Sequence, residues 1–329
     1  MPESDSPLPE KVTPTLAELT LLLPARERLL ASGSSDILSL WLARGDKLAD
    51  IAAGREAALR VCFEFTGTSI PYAALTRSLD ASDAAGALWL RADPAFVMAD
   101  AVTLRLLACG ELRLSTEECG QLARALKPLF GDAGFPLEST TASHWYLRCP
   151  PGAQLPAFSN PAVALGDDLG RHLPQGGDAR RWQHLLNEAQ VMLHNHPVNA
   201  ERSKRGLMPV NSLWIWGGGA LPDFVRSTFT HVRSPDQIVH ALARQAKVPV
   251  IDDDASLDVA VDASRVLLDL SDMREEGALE RDWLAPIHEA VLQRRVASVE
   301  VRFEDGLRHL WRRAHRWRFW RRVKRAKSA

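Results

Sequence analysis

Short apolar runs typical of buried strands alternate with segments of helical periodicity, and this alternation limits the folds open to the chain. Leu19–Pro24, Ala87–Pro94 and Arg265–Leu270 have the length and apolar content of strands. The stretch 297–306 alternates apolar with charged residues and ends in an Asp-Gly turn signal. Strands interleaved with helices predict an α/β protein that has a mixed sheet with flanking helices.

Several helices have clear start signals. Ser115 precedes Glu118 by three residues, the spacing of a capping box, and an apolar stripe at helical spacing follows. A second helix is expected over about residues 180–195, and a third begins near Asp236.

Other segments are harder to assign from local pattern. The run Leu59–Phe65 alternates and is rich in β-formers, which predicts a strand, and Val248–Ile251 also has strand composition. Residues 37–51 predict two short helices interrupted at Gly45.

Composition shifts suggest where the chain divides. The proline- and glycine-rich stretch 151–179 is typical of a linker or an elaborated loop. The predicted parts are a flexible lead over 1–18, an N-terminal α/β part over 19–150, the loop or linker 151–179, a C-terminal α/β part over 180–306, and a basic aromatic tail over 307–329.

The 329 residues lack a membrane-spanning or secretory pattern. No apolar run approaches the roughly 20 residues that span a bilayer, and the first residues are acidic and proline-rich. We therefore expect a cytoplasmic protein with no transmembrane segment. The four cysteines lack CxxC spacing, which favours small buried side chains over a disulfide or zinc site.

The most distinctive stretch is His196–Pro222, with the sequence HPVNAERSKRGLMPVNSLWIWGGGALP. Guanidinium and amide donors of this density suit an anionic, phosphate-bearing ligand, and glycine N–H groups can approach an anion closely. A tight turn after a core strand with two packing tryptophans would explain the same glycines. The candidate ligand-binding residues of the segment are His196, Asn199, Arg202, Arg205, Asn211, Gly217, Gly218 and Gly219.

As a whole, this segment resembles the archaeal-type cofactor-independent (2,3-bisphosphoglycerate-independent) phosphoglycerate mutases of the alkaline phosphatase superfamily. The resemblance rests on His-Pro-Val-Asn, an arginine three residues on, and the spaced residues Gly206, Pro209, Asn211, Trp214, Trp216, Gly217, Gly219 and Pro222. Arg91 stands where that family carries a substrate-side arginine. The chain also resembles a bacterial group labelled as phosphoglycerate mutase or as a regulatory protein (type E) of the pathogenicity-factor cluster.

The resemblance implies a truncated alkaline-phosphatase-like fold, with Arg91 and the segment residues facing the ligand. It also implies two metal ions on Asp and His ligands and a Ser or Thr nucleophile. The sequence departs from this pattern, because the N-terminal Asp-Gly motif, the Asp-x-x-x-His-x-x-x-His motif and the terminal Gly-Asp-His-Ser are not found. Asp269, Asp272 and His194 remain as weak metal candidates. We therefore expect no cofactor, with Mn²⁺ or Zn²⁺ only if a metal site has been rebuilt.

The tail carries a charge opposite to that of the remaining chain. Ten basic residues and no acidic one lie between Arg308 and the C-terminus, while the whole chain has a formal charge of −1. Apolar residues from Leu307 to Trp317 fall on one face of a predicted helix. Such a tail suits an acidic surface of its own chain, of another subunit through self-association, or of a protein partner, and it also suits single-stranded nucleic acid or an anionic membrane.

Three functions follow from these features. The favoured one is a phosphoglycerate mutase-like protein without metal-dependent catalysis that binds a phosphorylated metabolite in a regulatory role. The second is an active mutase or phosphatase whose metal site is rebuilt around Asp269, Asp272, His194 and His196. The third is a regulator that binds nucleic acid through its tail.

Overall fold

The chain divides into two compact units. A computed structural model describes residues 16–30, 35–100, 103–251 and 264–323. Unit 1 combines the chain up to Glu64 with the chain from Val225 onward, and unit 2 comprises Phe65–Phe224. Unit 1 is therefore built from both ends of the chain. This grouping differs from the sequence-based boundaries because strands far apart in sequence pair with each other.

Unit 1 contains a six-stranded mixed sheet in the order β10-β11-β1-β12-β13-β2. The first four strands are parallel, and β13 and β2 join antiparallel. The elements of unit 1 are β1 (Ala17–Leu23), α1 (Arg26–Leu30), α2 (Asp36–Arg44), β2 (Asp46–Lys47), α3 (Arg55–Cys62), β3 (Glu64–Phe65, whose last residue begins unit 2), β9 (Val225–Arg226), β10 (His231–Arg233), α9 (Gln237–Gln245), β11 (Arg265–Asp269), α10 (Glu276–Leu279), a π-helical turn (Glu280–Leu284), α11 (Ala285–Leu292), β12 (Val296–Phe303), β13 (Arg308–Arg312) and a 3-10 turn (Arg313–Trp317).

The central strands of unit 1 are apolar because parallel strands are covered on both faces. Along β1, every residue except Glu18 is buried. Leu21 of β1, Leu268 of β11 and Val301 of β12 meet in one core, which also takes in Trp311 of β13. The mixed α/β class predicted from the alternation of strands and helices is thereby confirmed.

Unit 2 contains a five-stranded antiparallel sheet built around the long strand β4. β4 pairs with β5, β7 and β8. The elements of unit 2 are α4 (Tyr72–Asp80), β4 (Leu88–Ala99), β5 (Leu104–Cys109), α5 (Thr116–Asp132), β6 (Leu137–Ser139), β7 (Trp145–Cys149), α6 (Pro161–Ala164), a 3-10 turn (Leu169–His172), α7 (Ala179–His194), α8 (Pro197–Lys204) and β8 (Ser212–Gly219).

The capping signals located helices correctly. Ser115 and Glu118 form the predicted capping box at the start of α5, and Asp236 caps α9 through its side chain. Helix α7 matches the predicted span closely. The strand before Pro94 is also confirmed, but it continues to Ala99.

Four local predictions were wrong. The run Leu59–Phe65 is mostly the end of helix α3, because Ala58, Leu59 and Cys62 share one buried helical face. The second short helix after Gly45 is replaced by strand β2, which pairs with β13. Residues 248–251 form a single bridge in place of a strand. The described part of the tail, residues 307–323, forms strand β13 and a short 3-10 turn in place of the predicted helix.

The tail returns as strand β13 because the chain turns sharply at Gly306. Gly306 has φ of 92°, and a Cβ there would lie 2.2 Å from the Ile51 carbonyl oxygen. The turn places β13 antiparallel to β12, and the ladder between the two strands pairs their backbone N–H and C=O groups. Most of the predicted flexible lead lies outside the described residues, and Ala17 and Glu18 belong to β1.

Candidate functional site

The segment His196–Pro222 folds within unit 2 as helix α8, a loop and strand β8. His196 precedes the helix, and its ring Nδ1 accepts a hydrogen bond from the Val198 N–H at 3.3 Å. Burial lowers the pKa of His196, so the neutral, accepting form is favoured. Pro197 occupies the first turn, where its missing N–H has no consequence. His196 thus acts as the cap of α8.

Both predicted asparagines hold backbone groups. The Asn199 amide donates to the carbonyls of Leu193 at 2.7 Å and Val210 at 2.8 Å, and its oxygen accepts from the Val210 N–H. The Asn211 side-chain oxygen accepts from the Val97 N–H at 2.8 Å, and its side-chain N–H donates to the Val97 carbonyl at 2.7 Å. These amides fasten the loop after α8 and join β8 to β4.

Arg202 and Arg205 converge on one carboxylate, that of Glu118. Arg202 is completely buried and donates to Glu118 at 2.8 Å, as well as to the carbonyls of Leu112 at 2.6 Å and Met208 at 2.9 Å. Arg205 also contacts Glu118, but its side chain is 55% exposed.

Hydrogen bonds and ion pairs offset the cost of burying the charge of the Glu118 carboxylate. Burial opposes its ionisation, but the Ser115 N–H and the two guanidinium groups hold the pKa of Glu118 below its ordinary value. The predicted ligand arginines thus join α8 to the capping box of α5.

Arg91 lies in a buried polar network on β4. Its guanidinium donates to Asp93 at 2.8 Å, to the Thr76 hydroxyl at 3.1 Å and to the Ser143 carbonyl at 3.3 Å. The Trp216 indole N–H donates to the other Asp93 oxygen at 2.7 Å. This Trp216 contact joins the predicted substrate-side arginine to the WIWGGG strand.

The three glycines permit close packing of β8. Gly217 has φ of 67°, and a Cβ there would lie 2.8 Å from Tyr72 Cβ. A Cβ on Gly218 would approach Leu90 to 2.9 Å, and one on Gly219 would approach Pro71 to 2.5 Å. The glycines therefore have a packing role, and their use as anion donors remains a prediction.

In unit 1, Asp269 lies at the C-terminal end of β11 and accepts hydrogen bonds from three side chains. Arg55, in the first turn of α3, donates to both Asp269 oxygens, at 2.9 and 2.6 Å, and to Asp236 at 2.8 Å. The hydroxyls of Ser234 and Ser271 also donate to Asp269. Burial opposes ionisation of this aspartate, but Arg55 holds the pKa of Asp269 below its ordinary value.

These contacts test whether Asp269 suits a metal ion. Its side chain is 1% exposed, and both oxygens accept hydrogen bonds from a cation that belongs to the chain itself. Asp272 and His194 are exposed. Within residues 16–30, 35–100, 103–251 and 264–323, no group of three or more His, Cys, Asp or Glu side chains is placed to hold a metal. In the described part of the chain, Asp269, Asp272 and His194 therefore do not fit the two-metal site that the resemblance implies.

Sequence reasoning missed the groups that organise these networks. Arg55 follows Gly54 in a segment with no motif, and only the fold brings it to Asp269 across 214 positions. Asp80 was missed as well, although it accepts from Tyr146 at 2.6 Å and contacts His144 at 2.8 Å. No local signal could have found either group, because the partners lie on different elements.

Part of the basic tail is paired within unit 1. Arg308 donates to Glu300 at 2.8 Å, and Arg318 donates to Asp46 at 2.5 Å. Beyond β13, the aromatic rings of Trp317, Phe319 and Trp320 are exposed. The tail thus combines internal anchors with an aromatic surface.

Comparison with known proteins finds similarity to phosphoglycerate mutases over part of the chain. No protein-family model matches. The 2,3-bisphosphoglycerate-independent phosphoglycerate mutase of Methanosarcina mazei is 39% identical over 64 residues, which cover 20% of this chain and 16% of that protein. A probable enzyme of the same name from Geobacter sulfurreducens is 42% identical over 57 residues, covering 17% and 14%. The matches thus span about a sixth of the length of these relatives.

Solved structures give weak overall similarity. A cofactor-independent phosphoglycerate mutase from Thermoplasma acidophilum aligns with a TM-score of 0.44 and 18% identity over 90% of both chains. A protein from Pyrococcus horikoshii aligns with a TM-score of 0.46 and 12% identity over 91% of this chain and 87% of that one.

Among the described residues, no helix has both the length and the apolar character needed to cross a membrane.

Proposed function

We propose that this chain is a cytoplasmic, phosphoglycerate mutase-like protein that binds a phosphorylated metabolite in a regulatory role and no longer performs metal-dependent phosphoryl transfer. The partial similarity to phosphoglycerate mutases supports the ligand class. A phosphoglycerate is a small anion with phosphate and carboxylate groups, both of which arginine recognises well.

The position of Arg55 is the observation that supports the proposed loss of metal-dependent catalysis. Its guanidinium donates to both oxygens of Asp269 and to Asp236, so these two carboxylates already share a cation that belongs to the chain. A divalent ion at Asp269 would have to compete with Arg55 for both carboxylate oxygens, and breaking this largely buried ion pair is unfavourable.

Arg205 is the predicted ligand residue best placed for binding. Its contact with Glu118 is made through Nη2, whereas a guanidinium carries five N–H donors. More than half of its side chain is exposed. Arg91 and Arg202 are almost fully enclosed, so we assign them the support of the site and assign Arg205 the direct contact.

Thermal unfolding with candidate ligands tests this proposal. The protein is heated with 3-phosphoglycerate, 2-phosphoglycerate or inorganic phosphate, each with Mn²⁺ or with EDTA. A ligand at 100 times its Kd should add about 2.7 kcal/mol of stability. Stabilisation by a phosphoglycerate in EDTA is the expected result, whereas stabilisation only with Mn²⁺ would favour an active enzyme.

A pair of variants locates the contact. Arg205→Gln should reduce the shift, while Arg171→Gln, which changes another exposed arginine of unit 2, should leave it intact. If neither phosphoglycerate shifts the transition under any condition, the proposed ligand class is wrong.

A further inference from the structure

The end of the described chain presents aromatic side chains to solvent. Trp317, Phe319 and Trp320 are 62%, 73% and 68% exposed. By contrast, Trp41 and Trp311 of the same unit are buried in its core. Three large rings within four residues form a concentrated apolar surface, and such surfaces on proteins commonly mark interaction sites.

The backbone that carries these rings is fixed to unit 1. Arg318 donates to the Arg44 carbonyl at 3.0 Å as well as to Asp46. Arg321 donates to the Gly45 carbonyl at 2.8 Å, and Arg44 donates to the Arg316 carbonyl at 2.9 Å. The rings are therefore displayed by an anchored segment and need little ordering when they meet a partner.

The surface around the rings is positively charged. Within the described part of the chain, Arg294, Arg313, Arg316 and Arg322 make no ion pair with an acidic side chain. Arg313 and Arg316 lie in the same 3-10 turn, and the pKa of Arg313 is lowered by desolvation and then by repulsion from Arg316 and Arg294. Such a grouping is relieved by an anionic partner.

The ring geometry favours a membrane surface over single-stranded nucleic acid. Phe319 and Trp320 meet at 78°, with centroids 5.6 Å apart. Rings inclined at this angle do not present parallel faces to two successive stacked bases. They form instead a compact wedge beside arginines, which suits the headgroup zone, where tryptophan rings are favourable and guanidinium groups contact lipid phosphates.

We propose that residues 313–323 form a membrane-surface binding element that inserts Trp317, Phe319 and Trp320 into the headgroup region of an anionic bilayer while the neighbouring arginines contact lipid phosphates. This inference is independent of the proposed metabolite. It assigns the chain a peripheral, reversible association and involves no spanning segment.

Co-sedimentation of the full-length protein with vesicles tests the element. Vesicles of phosphatidylcholine alone are compared with vesicles containing 30% phosphatidylglycerol, at low and at high salt. We expect binding to the anionic vesicles only, weakened by salt, together with a blue shift of tryptophan fluorescence. Equal binding to both compositions, or no binding to either, would overturn the proposal.

Two variants separate the contributions of rings and charge. Trp317→Ala/Phe319→Ala/Trp320→Ala should weaken partitioning about tenfold or more, because affinity scales with inserted apolar area. Arg313→Gln/Arg316→Gln should lose about fivefold for each charge. Val163→Ala/Leu165→Ala, which removes exposed apolar side chains from unit 2, serves as the control and should bind like the unmodified protein.

Nucleic acid provides the competing outcome. Fluorescence anisotropy with a labelled oligothymidylate measures binding to single strands under the same salt conditions. If the triple aromatic variant loses oligonucleotide affinity but sediments with anionic vesicles like the unmodified protein, the surface is a nucleic-acid site and the membrane proposal is wrong. Unchanged melting temperatures would show that the variants remain folded.

Discussion

Arg202 and Arg205 share the Glu118 carboxylate but differ in burial, and this difference makes a sharp prediction about stability. Arg202 is completely enclosed, whereas 55% of the Arg205 side chain is exposed. We therefore compare Arg202→Met with Arg205→Met. Methionine keeps much of the side-chain length and apolar volume, so that the variants differ mainly in the loss of charge and donors.

The expected magnitude follows from the contacts of each arginine. Arg202→Met removes donors from the carbonyls of Leu112 and Met208, and an unpaired buried carbonyl costs about 1–3 kcal/mol. Glu118 keeps Arg205 and the Ser115 N–H, so its charge is not left without compensation. We expect Arg202→Met to lose about 3 kcal/mol of unfolding free energy. Arg205→Met should lose no more than about 1 kcal/mol, as exposed ion pairs do.

Urea unfolding followed by far-UV circular dichroism measures both values. Arg202 and Arg205 both belong to unit 2, so a transition whose midpoint these variants shift is assigned to the unfolding of unit 2. Equal losses for the two variants would refute the argument, since burial would then have no influence. An Arg202→Met loss below about 1 kcal/mol would also refute it, because that is the range of an exposed pair.

The pH dependence gives a second check on the same pair. The folded-state pKa of Glu118 lies below its ordinary value of 4.5. A group with a lowered pKa stabilises the fold above its unfolded pKa, and this contribution is lost as the pH falls through the folded pKa. The difference in unfolding free energy between the unmodified protein and Arg202→Met should therefore have its full value at pH 7 and become smaller below about pH 4.5.

Two further predictions concern packing and charge. Gly217→Ala should destabilise unit 2 by more than about 1 kcal/mol, because φ is 67° and the new Cβ would meet Tyr72 at 2.8 Å. Gly177→Ala, with open space around it, is the thermal-unfolding control, and equal melting temperatures for the two would contradict the packing role. Arg55→Met should cost about 3 kcal/mol at pH 7 by leaving Asp269 buried without its cation. The loss of unfolding free energy, measured by urea unfolding, should become smaller below pH 3.8, because the pKa of Asp269 is lowered in the folded protein. A loss that does not change with pH would contradict the role of charge.

Local sequence signals predicted those parts of the fold that depend on neighbouring residues. The Ser115–Glu118 capping box and the Asp236 cap form between residues two or three positions apart, so their geometry is encoded where it occurs. Apolar runs likewise identified β1 and β11, because a strand covered on both faces needs little besides apolar side chains.

Patterns that fit two structures misled the same reasoning. The apolar residues near Trp311 suit one face of a helix, yet residues 308–312 form a strand once β12 lies beside them. The run Leu59–Phe65 alternates like a strand but buries a helical face. Only the neighbouring elements distinguish these cases, because periodicity over a few residues is ambiguous.

By itself, the sequence determined the mixed α/β class, the capped helices and the partial resemblance to phosphoglycerate mutases. Tertiary structure decided how the arginines are used. It buried Arg202 against a helix cap and brought Arg55 to Asp269 from a distant helix, while it left the rings after Trp311 exposed. The physical reason is that the environment of a charged or aromatic side chain is set by the elements that pack around it, and those elements lie far away along the chain.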